Sequence, residues 1–287
     1  MIGTRIRPRR PLDLRLTLAL VRPLYFAGSR EAWRATWTPL GPATTRIVQE
    51  IAGEVTVEAW GAGAEWAVAH APALLGEDDR PEDFAPRHPL IRDLQRRFRG
   101  LRLGRTDAVF EALLRAITEQ KVTGAEAGRA YHGMLRAFGE APPGPAGPRL
   151  PPSAQRIAAT PYFAFHRFGL ERRRAETLIA CARAAPRLEA GVDVGFIRGV
   201  GAWTQAEVLA VARGDPDAVS VGDYHIPSMV GWALAGERRA DDARMLELLE
   251  PYRGQRGRVI RLLELAGVGA PRRGPRMPLR PFAWSRV

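Results

Sequence analysis

The chain has 287 residues, 46% of them hydrophobic and 26% charged, which is apolar material for a sizeable core and length for two domains of ordinary size. Its 43 basic residues outnumber 31 acidic ones, and the formal net charge of +12 favours a polyanionic partner or an anionic membrane surface. The single cysteine, Cys181, excludes an internal disulfide and a four-cysteine iron–sulfur cluster, and the 5 histidines show no zinc-like spacing. No apolar run reaches the ~18–20 residues of a spanning helix, and the N-terminus lacks the apolar stretch of a signal peptide, so a soluble intracellular protein is expected.

Met1 to Arg10 reads as a short basic arm without regular structure. Strand patterns follow at Leu12 to Leu20, where every second residue is leucine, at Ala32 to Thr38, at Arg46 to Ile51 and at Val55 to Trp60. An antiparallel sheet with a helix at Ala62 to Leu75 packed on it closes a small α/β domain over residues 1–86. From Arg87 the apolar period becomes helical. The predicted architecture is therefore α+β, with an all-α domain over 87–270 and a basic Pro/Arg-rich tail over 271–287.

Within the helical part, Leu90 to Phe98 is basic and amphipathic, and Thr106 is placed to cap a helix over Asp107 to Glu119. The segment Glu119-Gln120-Lys121-Val122-Thr123 leads into a small-residue helix ending at Phe138. Ala141 to Pro152 reads as an exposed Pro/Gly linker. Ser153 caps Ala154 to Ala159, and a helix over Arg172 to Ala185 carries Arg172, Arg173 and Arg174 on its expected exposed face, with Cys181 on its apolar face. All but one of the basic residues are arginine. An amine nucleophile for Schiff-base lyase chemistry must then be Lys121, the N-terminal amine or nothing.

The stretch from Phe196 to Val230 combines a tight glycine turn, a helix start and an isolated carboxylate. Gly199-Val200-Gly201 is flanked by apolar residues, and Ala202 to Val211 continues at helical spacing with Trp203, Ala206, Leu209 and Ala210 in one stripe. Two glycines allow positive φ and a close backbone approach, so the amides of Ala202 to Thr204 at the helix start are free to face an anion such as a DNA phosphate. Asp223 lies just before a further helix signalled by Pro227 and the apolar residues that follow. On local sequence alone it is either a helix cap or a functional carboxylate. Asp241 caps a helix to Glu250, and Val259 to Leu265 supplies another. No P-loop or dinucleotide fingerprint occurs.

The hairpin Gly199-Val200-Gly201, then Trp203-Thr204, then Gly222-Asp223-Tyr224 before a helix, resembles the helix-hairpin-helix DNA glycosylases, in particular the alkylation-repair, 3-methyladenine DNA glycosylase II type. The resemblance covers about Leu12 to Leu265. It implies a monomer, associated with the nucleoid through double-stranded DNA, with no membrane, no obligate protein partner and no cofactor, a monovalent cation at the hairpin carbonyls being left open. Asp223 is then the catalytic carboxylate that stabilises a cation-like sugar and orients water, while Gly199, Val200, Gly201, Ala202 and Thr204 bind DNA. Lys121, beside Gln120, falls at the position whose side chain wedges into the duplex, and it is also the candidate for imine formation with an abasic sugar. Members with lyase activity carry a lysine two residues after the hairpin. This chain has Trp203 there, which implies a monofunctional hydrolase.

The pocket departs from the family pattern. Glu207 stands where the alkylation branch can place a tyrosine, and Arg261 falls about where a further pocket aromatic is expected, with Tyr224 able to compensate. Facing the pocket, Glu207 would favour a cationic methylpurine; facing solvent, it would be an ordinary helix carboxylate. A non-catalytic DNA-binding protein, or a glycosylase for another lesion such as a deaminated base, are the alternatives to a glycosylase for alkylated purines.

Overall fold

The computed structural model describes residues 1–51 and 53–270. Five strands, β1 (Ile2–Ile6), β2 (Leu24–Phe26), β3 (Glu31–Thr38), β4 (Gly41–Gln49) and β5 (Val55–Trp60), form one antiparallel sheet in the order β1-β5-β4-β3-β2. The N-terminal segment expected to lack structure is therefore an edge strand, Ile2 opposite Ala59 through Ile6 opposite Val55. Its arginines hide a short alternation of Ile2, Thr4 and Ile6 that suffices once β5 offers a free edge. The expected strand over Leu12 to Leu20 is instead a single helical turn, α1 (Leu14–Thr17), capped by the Asp13 carboxylate, which accepts from Leu16 N–H at 3.0 Å. Every-second-residue leucines also contain an i, i+4 set, and Leu14 and Leu18 use it to enter the core with Val21.

Val55, Val57 and Ala59 alternate inward on β5 and pack with Ile47 and Ala32 against α2 (Ala64–Leu74). The opposite face carries Trp33 and Trp60, stacked at 5.6 Å. It is covered by the segment read as an exposed linker: Gly144 lies against Trp60, Gly147 against Thr44, Leu150 is buried, and Trp37 Nε1 donates to Pro151 O at 2.7 Å. The absence of periodicity there reflects a loop laid on a sheet, not a tether in solvent.

Eight helices follow: α3 (Pro89–Arg97), α4 (Val109–Glu119), α5 (Gly124–Phe138), α6 (Ala154–Ala158), α7 (Arg172–Glu189), α8 (Ala202–Val208), α9 (Ile226–Ala235) and α10 (Asp242–Leu249), with α11 (Arg256–Leu265) closing the described chain. They build two cores. One gathers α4 to α8 around Leu113, Ile117, Met134, Phe165 and Leu178; the other joins α3 to α9, α10 and α11 around Ile91, Val230, Met245 and Val259. Cys181 is buried in the first, where burial pushes its thiol up to about 12, the behaviour of a packing residue. Among the described residues no helix is long and apolar enough to cross a membrane.

Helix α4 is buried on almost every side, Glu111 and Thr118 included. Its expected cap, Thr106, lies outside the helix. Asp107 takes a positive φ of 48°, and the first free amides of α4, at Val109 and Phe110, donate to the Glu189 carboxylate at 3.0 and 2.9 Å. Glu111 reaches the sheet, accepting from Thr36 Oγ1 at 2.7 Å, Trp37 N at 2.9 Å and Arg34 Nη2 at 3.4 Å. Burial pushes the Glu111 carboxyl above its ordinary value, and Arg34 with these donors pulls it back. Truncating one partner of a buried pair strands the other charge. Glu111→Ala is therefore expected to lower unfolding stability by about 3–5 kcal/mol, read as a reduced urea midpoint.

Candidate functional site

The hairpin is built from the end of α7 to the start of α8. Asp193 Oδ1 accepts from Gly195 N at 2.9 Å and starts a single 3₁₀ turn, Val194–Phe196. Gly199 then takes φ 96°, packed so closely on α7 that a Cβ there would lie 2.2 Å from Thr177 Oγ1. Gly201 behaves differently from the sequence expectation: its φ of −87° is open to any residue, and nothing lies within 4 Å of a Cβ added there. Its bareness leaves the start of α8 approachable. Helix α8 is shorter than expected and widens into π turns over Leu209–Arg213 before Gly214 ends it at φ 67°.

Three side-chain donors hold the hairpin's carbonyls. Thr177 Oγ1 donates to Arg198 O at 3.3 Å, Gln205 Nε2 to Val200 O at 3.4 Å, and Gln120 Nε2 to Gly199 O at 3.0 Å and to Thr204 Oγ1 at 2.8 Å. Gln120 and Thr204 are thus engaged with each other, and Val200 is a core residue. Lys121 is exposed, with a positive φ of 54° that turns the chain outward beside the hairpin. Arg174, expected on the exposed face of α7, is buried and donates to Gly169 O at 2.7 Å and Gln120 O at 3.3 Å, fixing this turn. Arg173 and Arg198 are exposed, and both backbones meet at Thr177. Lys121, Arg173 and Arg198 thereby ring the hairpin with positive charge.

Asp223 stands across from Trp203, on the other helical core. Trp203 Nε1 donates to Asp223 Oδ2 at 3.0 Å, and Asp223 Oδ1 accepts from His225 N at 2.7 Å and Ile226 N at 2.9 Å. The carboxylate is both a cap for α9 and a fixed charge. These bonds take three of its roughly four acceptor sites and leave one on Oδ2. It is half-buried, and among the described residues no cation lies within ion-pair distance of it. Tyr224, expected in the pocket, is 89% exposed with its ring against His225, and so stands outside the buried group.

One turn along α8, Glu207 makes a second rung to the same loop by accepting from Ser220 Oγ at 2.6 Å. Around it lie Arg115 and Glu119 of α4, paired at 2.9 Å, and Arg261 and Glu264 of α11, paired at 3.5 Å. Burial pushes the Glu207 carboxyl up, with Glu119 and Glu264 adding to the effect. Burial also raises Glu264, with Asp223 adding to it, while Arg261 is pulled down by burial and by Arg115. Of this set the sequence pointed to Trp203, Glu207, Asp223 and Arg261. Ser220, Arg115, Glu119 and Glu264 carry no local signal, since they come from elements far apart in the chain. Among the described residues no group of His, Cys, Asp and Glu could hold a metal ion.

This arrangement of an antiparallel sheet and two helical cores is a fold shared with solved DNA glycosylases. A 3-methyladenine DNA glycosylase from Archaeoglobus fulgidus superposes with a TM-score of 0.74 over 91% of this chain and 97% of its own, at 18% identity. An 8-oxoguanine glycosylase/lyase from Clostridium acetobutylicum, in complex with double-stranded DNA containing cytosine opposite 8-oxoguanine, superposes with a TM-score of 0.68 over 91% of this chain and 93% of its own, at 13% identity. No family model matches the sequence, and no curated protein matches it.

The two hairpin glycines separate stability from ligand access. Gly199→Ala combines positive φ with a clash against Thr177 and is expected to cost more than about 1 kcal/mol of stability. Gly201→Ala is expected to stay within about 0.5 kcal/mol of wild type while weakening duplex binding. Thermal unfolding and fluorescence anisotropy with a labelled duplex read the two effects.

Proposed function

We propose that the protein is a monomeric DNA glycosylase that hydrolyses the N-glycosidic bond of a damaged purine in double-stranded DNA. The observation that carries the reading is Asp223: a carboxylate without a cation partner, held at both oxygens and placed across from the hairpin. Such a group suits a reaction in which positive charge develops at the sugar.

The hairpin amides at Gly201 and Ala202, together with Lys121, Arg173 and Arg198, would hold phosphates on either side of the target nucleotide. Extruding that nucleotide costs a few kcal/mol, less for a damaged or mispaired base. Lys121, turned outward at its positive φ, is placed to fill the gap with its aliphatic stem. As the C1′–N bond breaks, Asp223 stabilises the cation-like sugar, and the remaining acceptor site on Oδ2 can take a proton from the attacking water.

Trp203 occupies the place where lyase members carry a lysine, and an indole cannot form an imine. The reaction therefore ends at an abasic site, with no cofactor. Alkylated purines are the first lesion class to test, in keeping with the resemblance and with the Archaeoglobus structure.

Asp223→Asn keeps the shape but sets an amide where the charge was. Release of free base from methylated duplex DNA is expected to fall by about 10²–10⁴-fold with duplex affinity retained, and equal release by both proteins would reduce Asp223 to a cap. Borohydride is expected to trap no protein–DNA adduct under conditions that trap a known lyase. An adduct lost in Lys121→Ala would assign imine chemistry to that residue.

A further inference from the structure

A second carboxyl, that of Glu207, stands on the same helix as Trp203 and beside the Trp203–Asp223 pair. Glu207 follows Trp203 by four residues on α8, so the two side chains share a face about 6 Å apart along the helix. Trp203 meets Asp223 and Glu207 meets Ser220, two rungs to one loop, which puts Glu207 one turn of α8 beyond the Trp203–Asp223 contact. Both nearby cations are already engaged, Arg115 with Glu119 and Arg261 with Glu264. Among the described residues Glu207 has no ion-pair partner, and Ser220 is the donor to its Oε1. Oε2 is free to carry a proton.

We propose that Glu207, as the neutral acid, donates its proton to a ring nitrogen of the departing purine, so that the enzyme acts on damaged purines that carry no formal charge. The proposal rests on the glycosylase reading. In the step, the C1′–N9 bond breaks with its electron pair left on the purine, the Glu207 proton moves to a purine nitrogen, and the base leaves as a neutral molecule. Water adds to C1′, its surplus proton passes through Asp223 to solvent, and Glu207 is reprotonated from solvent. The sum is hydrolysis, with nothing oxidised or reduced.

The groups facing Glu207 decide its protonation. Glu119 from α4 and Glu264 from α11 oppose its ionisation, as burial does, while Ser220 and Arg115 favour it and Arg261 lies within reach. The acid form prevails below the raised transition, so donation is present at low pH and lost as pH rises through it. A cationic base such as N7-methylguanine already leaves as a neutral molecule and needs no proton.

The test measures single-turnover base release by the full-length protein from duplexes holding either hypoxanthine or N7-methylguanine, from about pH 5.5 to about pH 9. Wild-type hypoxanthine release is expected to fall about tenfold per pH unit above the transition. Glu207→Gln is expected to lower it by about 10²–10⁴-fold and flatten that limb, with a much smaller loss on N7-methylguanine. Ser220→Ala removes a donor that favours the ionised carboxylate, so the limb should move to higher pH.

A larger loss on N7-methylguanine than on hypoxanthine in Glu207→Gln would overturn the proposal, since Glu207 would then be reading cationic charge. So would a hypoxanthine profile unchanged in Glu207→Gln, which removes the acid but leaves the glycosylase reading standing. Wild-type protein that releases neither base would overturn both.

Discussion

The polar contacts of one buried helix hold this molecule in register. Helix α4 starts on the Glu189 carboxylate, reaches the β-sheet through Glu111, and ends at Gln120, whose amide is shared between the hairpin carbonyl of Gly199 and the hydroxyl of Thr204. A helix buried on all sides cannot leave such groups unpaired without a cost of about 1–3 kcal/mol each. Each partner is therefore held to one position, and the sheet, α7 and the hairpin are located relative to one another by the same eleven-residue rod.

The candidate site lies where the two helical cores meet. Trp203 and Glu207 belong to the helix of one core and Asp223 and Ser220 to the loop leading into the other, so the two rungs between them close the seam. The charge distribution follows the chemistry proposed for it. On a protein of net charge +12, exposed cations ring the hairpin, while the cleft gathers Glu119, Glu207, Asp223 and Glu264 around Arg115 and Arg261. A polyanion is drawn to the rim, and a positive centre is favoured inside.

Two neighbouring carboxyls on this seam are asked for opposite work. Asp223 is anchored by an indole N–H and two backbone amides. Glu207 has one hydroxyl and two acidic neighbours, and burial disfavours its charge.

Much of this was legible in the chain itself. The alternation of Val55 to Trp60, the apolar stripe of α4, the turn at Gly199 and the carboxylate before Pro227 are local patterns, and local patterns determine where strands, helices and turns form. The same rules missed the β1 edge strand and misread Leu12 to Leu20, because a short edge needs a partner and alternate leucines satisfy two periods. They also left Arg174 on the surface. Tertiary structure decided that placement: it buries Arg174 against the carbonyls of Thr118, Gln120 and Gly169 and brings α4, α8, the Ser220 loop and α11 around Glu207. The environment of Glu207 is the sum of groups up to 149 positions apart in the chain, Arg115 and Glu264; no local period can encode it, because burial and neighbouring charge exist only once the two cores have met.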